Sequence, residues 1–182
     1  MSALTEQLLL YRIRTQRDPK AFAQVYQTYA KPISRFISLK VGSKEVVEDL
    51  TTETFIKAWQ YLQKAQKVGN LKALMYQIAR TVVVDHYRKT GAKAVLSLDD
   101  EEGTMVDEPL DIRSEELPDK VDVQLLVGRM AELRNDYRDV LVLKYVEKLD
   151  NDQIAEVLQT TSGNVRVLSH RAIAALKSLF HA

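Results

Sequence analysis

Apolar residues recur along this chain at intervals of three and four, the spacing of one face of an α-helix, and no stretch offers a competing strand pattern. The first run predicts a helix at about Leu4 to Thr15. Asp18-Pro19 then joins an N-cap to proline at the first helical position. The helix this pair starts should carry Phe22, Val25, Tyr26, Tyr29, Ile33, Phe36 and Ile37 inward, with Pro32 kinking it or splitting it in two. Val41-Gly42-Ser43 marks a stop and a new start, with Glu45 and Glu48 near the positive end of the next helix. That helix runs to about Leu62 and should bury Val46, Val47, Leu50, Phe55, Ile56, Trp59 and Leu62. After a polar loop from Gln63 to Gly69, a fourth run from about Asn70 to Lys89 turns Leu71, Leu74, Met75, Ile78, Val82 and Val83 to one side.

Periodicity lapses between Thr90 and about Val121 and returns with Val123, Leu126, Met130 and Leu133. Asn135 or Asp136 begins a further helix through Val140, Leu141, Leu143, Tyr145 and Val146. At Asp150 a third start follows: its carboxylate can accept a backbone N–H while Gln153 reaches back, so a short helix with Ile154, Ala155, Val157 and Leu158 begins there. Gln159 and Thr160 interrupt it, and Thr161 opens a final run in which Val165, Leu168, Ala172, Leu176 and Leu179 keep helical spacing. This is helix, tight turn, helix, with Ala155, Leu158, Val165 and Leu168 placed to lock the crossing. Gln159 occupies the turn position where glycine is common and must take that backbone at some strain.

The start of the last helix exposes Ser162, Asn164, Arg166, Val167, His170 and Arg171, short polar, basic and small apolar groups suited to a major groove. The same pattern also fits a helical hairpin with a basic surface. Earlier in the chain, the helix from Val41 to Trp59 shows Asp49, Thr52, Glu53 and Lys57 on its polar face, which reads equally as a solvated face. The fourth helix offers Lys72, Tyr76, Gln77, Arg80, Thr81, Arg88 and Lys89. A basic stripe with an aromatic among polar groups can track phosphates and pocket an unpaired base; it can also be a solubilising surface.

Composition narrows the classes. The chain has 182 residues, 46% of them hydrophobic, enough for one or two small domains with cores. It has no cysteine, which excludes disulfides, a thiol nucleophile and a cysteine-held metal. No apolar run approaches the ~20 residues that cross a bilayer, and MSALTEQLLLYR is not a secretory leader, so a cytoplasmic protein without membrane insertion is expected. The net charge of +1 conceals segregation: residues 1–92 carry +8, residues 93–122 carry −8 and residues 123–182 carry +1. A basic front half points to a polyanion, and the acidic middle reads as a linker, free in solvent or docked on a basic partner. The expected fold is all-α, two small helical domains joined by that flexible acidic linker, the second a helix-turn-helix domain. His86, His170 and His181 lie beside no plausible nucleophile and in no metal spacing, and no glycine-rich phosphate loop is present, so no enzyme activity, cofactor or metal is expected.

Two stretches carry a resemblance. VGSKEVVEDLTTETFIKAW, Val41 to Trp59, with YQIARTVVVDHYRK, Tyr76 to Lys89, resembles the second conserved region of extracytoplasmic-function (ECF) sigma factors. YRDVLVLKYVEKLDNDQIAEVLQTTSGNVRVLSHRAIAALK, Tyr137 to Lys177, resembles their fourth. The resemblance implies a subunit that binds core RNA polymerase and directs promoter-specific initiation. Residues 1–92 would dock on polymerase and melt the −10 element, residues 93–122 would connect, and residues 123–182 would read the −35 element. It implies that Asp49, Thr52 and Glu53 meet the largest polymerase subunit, where the family often has Gln in place of Thr52. It assigns Lys72, Tyr76, Gln77, Arg80, Thr81 and Arg88 to −10 DNA, with Thr81 where Asn is frequent. Ser162, Asn164, Arg166, Val167, His170 and Arg171 would take −35 DNA, Arg171 on phosphate, and Val167-Leu168 replaces a common Ser-Arg pair. The acidic linker would run toward the polymerase active centre and RNA exit channel. An anti-sigma factor is a further implied partner. A stand-alone regulator binding duplex through its helix-turn-helix is the alternative; it would have no use for the acidic face at Asp49. A pure protein-interaction module is the third reading, and the basic stripe argues against it.

Overall fold

The computed structural model describes residues 3–64, 68–90 and 132–181. Among them the chain is helical with no strand. Helix α1 spans Ala3–Gln16, α2 Pro19–Ser38, α3 Lys44–Lys64 and α4 Leu71–Thr90. These four pack on one another, α1 against α2 and α3, and α2, α3 and α4 mutually. The start of α2 follows the sequence: Asp18 Oδ1 accepts from the backbone N–H of Lys20 at 2.8 Å and of Ala21 at 3.4 Å, with Pro19 next. The other carboxylate oxygen takes the Arg12 guanidinium, with Nε at 2.9 Å. That bond is the first cause of an Asp18 carboxyl held below its usual value. The N-terminus of α4 is closed by two oxygens: Asn70 Oδ1 accepts from Ala73 N–H at 3.1 Å, and Glu6 Oε1, from α1, accepts from Leu71 N–H at 3.0 Å.

In this half the split allowed for at Pro32 does not occur, and two side chains expected inside are exposed. Helix α2 is a single helix of 20 residues with Pro32 inside it. Proline removes one N–H and crowds the preceding turn, but Tyr29, Ile33, Phe36 and Ile37 around it are all buried, and that packing holds the helix through. Tyr26 and Ile56, both expected inside, are 49% and 52% exposed. Ala21 and Ala58 are buried instead, small residues that let α2 and α3 close on their neighbours.

The second half begins with Leu133, buried, and α5, Asn135–Leu141, which runs into a π-helical turn at Val142–Val146. The sequence predicts the helix and gives no sign of the wider turn. The Glu147 N–H closes that turn on the Val142 carbonyl at 3.0 Å, and Lys148 follows in the left-handed region, φ 55°. Helix α6 spans Asn151–Leu158 and α7 Ser162–His181; α7 packs on α5 and α6, and α6 packs on α4 of the first half. The helix expected from Val123 and the acidic stretch 93–122 lie outside the described residues.

Candidate nucleic-acid interface

The helix-turn-helix forms as its residues dictate. Asp150 Oδ1 accepts from Gln153 N–H at 2.8 Å, and Gln153 Oε1 accepts from Asp150 N–H at 3.2 Å, a reciprocal cap. Gln159 ends α6 in the left-handed region at φ 56°, ψ 46°, as the missing glycine requires. Thr161 Oγ1 then accepts from Asn164 N–H at 3.2 Å and starts α7. Val165 is fully buried at the crossing with Ala155, and Leu158 and Leu168 pack partly buried beside them. This anchoring turns Asn164, Arg166, Val167, His170 and Arg171 to solvent, with Ser162 half-buried. The Ser162 hydroxyl donates to Asp152 Oδ1 and the Asn164 amide to Thr160 Oγ1 at 2.8 Å, so both end groups are held against the turn.

On α3, Asp49 and Thr52 are exposed and Glu53 is half-buried. The Thr52 hydroxyl donates back to the Glu48 carbonyl at 2.9 Å, which leaves its oxygen as an acceptor only. Glu53 pairs with Lys57 at 2.9 Å, and Lys57 also reaches Asp85 of α4 at 3.3 Å. The Glu53 bond is the main reason the Lys57 ammonium titrates above its usual value. Beside this acidic patch lies an apolar cleft of about 380 Å³, lined by Phe22, Tyr26, Thr52, Phe55, Ile56 and Trp59. The exposed Tyr26 and Ile56 therefore belong to one surface.

Helix α4 departs most from expectation. Arg88 and Thr81 are exposed and Lys72, Gln77 and Arg80 half-buried, but Tyr76 is 1% exposed. Its ring packs edge-on to Phe36, centroids 5.4 Å apart, and its hydroxyl donates to Glu147 Oε2 at 2.5 Å. Burial, and then the Glu147 carboxylate, push that hydroxyl far above the usual tyrosine range. Glu147 also holds the Arg35 guanidinium through two bonds, 2.8 and 2.9 Å, and its carbonyl accepts from Lys72 Nζ at 3.3 Å. Arg80 donates to Asp139 Oδ2 at 2.8 Å and to Asp136 Oδ1 at 3.0 Å. Asp139 is paired as well with Lys40, whose ammonium lies 4.7 Å from the centre of the Phe36 ring. Burial lowers the Lys40 pKa and Asp139 opposes it.

Arg35, Lys40, Asp136, Asp139 and Glu147 were thus missed as site residues by the sequence reading. Asp136 and Asp139 lie three residues apart on α5 and so share a face, a pattern that is compatible with a charged partner without naming it. No signal in the sequence joins Glu147 to Tyr76.

Comparison with known proteins gives this arrangement a context. Residues 25–93 match the family described as Sigma-70 region 2, and residues 124–176 match Sigma-70, region 4. The chain is 27% identical to the ECF RNA polymerase sigma factor SigM of Bacillus subtilis over 158 residues, 87% of this chain and 94% of SigM. The chain belongs to the ECF sigma factors. A second relative in that family, SigW of Bacillus subtilis, is 27% identical over 183 residues, covering 94% of this chain and 96% of SigW. The fold matches that of CnrH in complex with the cytosolic domain of CnrY, with a TM-score of 0.70 at 18% identity over 97% of both chains. It also matches the sigma factor RpoE in complex with the anti-sigma factor NepR from Bartonella quintana, TM-score 0.66 at 21% identity, covering 90% of this chain and 98% of that one. Among the described residues of this ECF sigma factor no group of acidic or histidine side chains is arranged to hold a metal, and no helix is long and apolar enough to cross a membrane.

Proposed function

We propose that this ECF sigma factor binds core RNA polymerase through α3, opens the −10 element on α4 and reads the −35 element as duplex with α7. The observation that carries this reading is the α6–α7 unit, whose reciprocal cap and left-handed turn present a polar, basic helix face to solvent. Region 2 and region 4 matches in that order along one chain support it. Domain limits of 1–92 and 123–182, joined by 93–122, follow from the same reading.

Core polymerase meets Asp49 and Glu53, with Thr52, whose hydroxyl hydrogen goes to the Glu48 carbonyl, left to accept a hydrogen bond. On α4, Lys72, Arg80 and Arg88 neutralise phosphates, while Tyr76, Gln77 and Thr81 line the place of an extruded base. Unstacking that base costs a few kcal/mol, which a snug pocket offsets. On α7, Arg166, Val167 and His170 face base edges, Ser162 and Asn164 flank them, and Arg171 lies toward phosphate. The protein performs no chemistry of its own, works in the cytoplasm, and is held by an anti-sigma factor when idle. The structural neighbour RpoE, solved in complex with the anti-sigma factor NepR, supports the last point.

The experiment is a titration of labelled full-length protein with purified bacterial core polymerase, comparing wild type with Asp49→Ala plus Glu53→Ala. Tight binding that weakens at least about tenfold, equivalent to about 1.4 kcal/mol, supports the assignment. Absence of binding by the wild type contradicts it.

A further inference from the structure

We propose that Val167 selects a thymine in the −35 element by packing its branched side chain on the thymine C5-methyl group, so that one promoter position is read without a hydrogen bond. The proposal rests on the reading of α7 given above and names what the centre of that face recognises. Val165, Ser169, Ala172 and Leu176 are buried and define the inner line of α7. At roughly 100° per residue, Gly163, Val167 and Ala174 each lie within about 30° of the direction opposite that line. All three are exposed. Asn164, Arg166, His170 and Arg171 stand about 50° or more to either side. Between residues 163 and 174 the crest of α7 therefore carries no hydrogen-bonding side chain, and Val167 is its one bulky group. Leu168, next in sequence, packs against the core, while Ser162 and Asn164 donate to Asp152 and Thr160 of the turn.

A lone exposed apolar side chain is ordinary on a protein surface; one at the centre of a polar, basic face is not. Folding supplies no reason for it. Valine is a weaker helix former than alanine, and Val167 is 40% exposed and outside the hydrophobic core. Nor does packing demand the glycine at 163, where a Cβ would meet only Thr161 Oγ1 at 3.9 Å, an ordinary contact. Without a Cβ the first turn of α7 can lie closer to base edges, and Val167, one turn on, comes down to them with it.

The major groove offers an apolar side chain one partner. Every base edge there presents donors or acceptors, and only thymine adds a methyl group. Over a guanine, adenine or cytosine edge Val167 would displace water from polar groups and give them no hydrogen bond in return. Over thymine, methyl meets methyl and apolar surface is buried. Arg166 and His170 on one flank and Arg171 on the other remain available for neighbouring bases and phosphates, so selection by Val167 adds to theirs.

The test uses the full-length protein bound to purified core polymerase and a promoter fragment recovered by run-off transcription. Each thymine of the −35 element, on either strand, is replaced singly by deoxyuridine, which removes only the C5-methyl group. Competition binding compares wild type with Val167→Ala, whose helix content is checked by circular dichroism. At one thymine the replacement should weaken wild-type binding about fourfold, the worth of one buried methyl group. Val167→Ala should bind the unmodified promoter at least about fourfold more weakly than wild type and should not distinguish thymine from uracil at that position. If no thymine is sensitive, or if Val167→Ala keeps the sensitivity, the methyl contact is overturned while the reading of α7 stands. If scrambling the whole −35 element leaves binding unchanged, the reading of α7 falls and the contact falls with it.

Discussion

Single residues set the geometry of the duplex-reading unit, and their contributions can be measured one at a time. Asp150 and Gln153 satisfy each other's end of the α6 backbone. Asp150→Ala removes the carboxylate oxygen and should cost about 1 kcal/mol in chemical denaturation. Gln159 sits at φ 56°, where an L side chain crowds its own backbone. Gln159→Gly should therefore stabilise the chain by about 0.5–1 kcal/mol in the same assay, and a loss of stability would show that the Gln159 side chain makes a contact worth more than the strain. Both features were legible in the sequence, because an N-cap with its partner three residues on, and a turn lacking glycine, are local chemistry. The fate of Tyr76 was not legible. Helical spacing placed it on the polar side of α4, whereas its ring packs on Phe36 and its hydroxyl meets Glu147, 71 residues away.

Helices read well where the boundary signals were local and less well where packing chose between faces. Asp18-Pro19 and Thr161 mark real starts, but Pro32 lies inside an unbroken α2 because buried neighbours override its penalty. Tyr26 and Ile56 fell at apolar positions and yet line an open cleft beside the acidic face of α3, so periodicity identified an apolar surface without saying what covers it. The exposed face of α7 was fixed by the opposite rule: once Val165, Ala172 and Leu176 are buried, the exposed set follows from helix geometry. At this scale Arg166 and Arg171 should separate. Arg171→Ala should weaken duplex binding uniformly across sequences and reduce the salt slope by about one. Arg166→Ala should cost about 1–3 kcal/mol only on the preferred sequence. Competition binding at several salt concentrations checks both, and equal behaviour of the two variants would contradict the assignment.

Across the whole molecule, the fold class and the order of the two helical units followed from periodicity. What the sequence withheld is the relation between the units. Arg35, Lys40 and Arg80 look like solvated charges in a linear reading, whereas in the fold they face Glu147 and Asp139, carboxylates that are themselves buried. Long-range ion pairs leave no periodic trace, so only the tertiary structure reveals that the basic front half is partly neutralised from within. This ECF sigma factor confers promoter specificity on polymerase, and the decisive assay is run-off transcription. Purified core polymerase is supplied with this protein and a library of promoter fragments. The expected transcripts require the protein, start downstream of two shared sequence elements, and vanish when either element is scrambled. Transcription that is unchanged by the protein, while the protein still binds duplex DNA, would rule out a sigma factor and leave a stand-alone DNA-binding regulator.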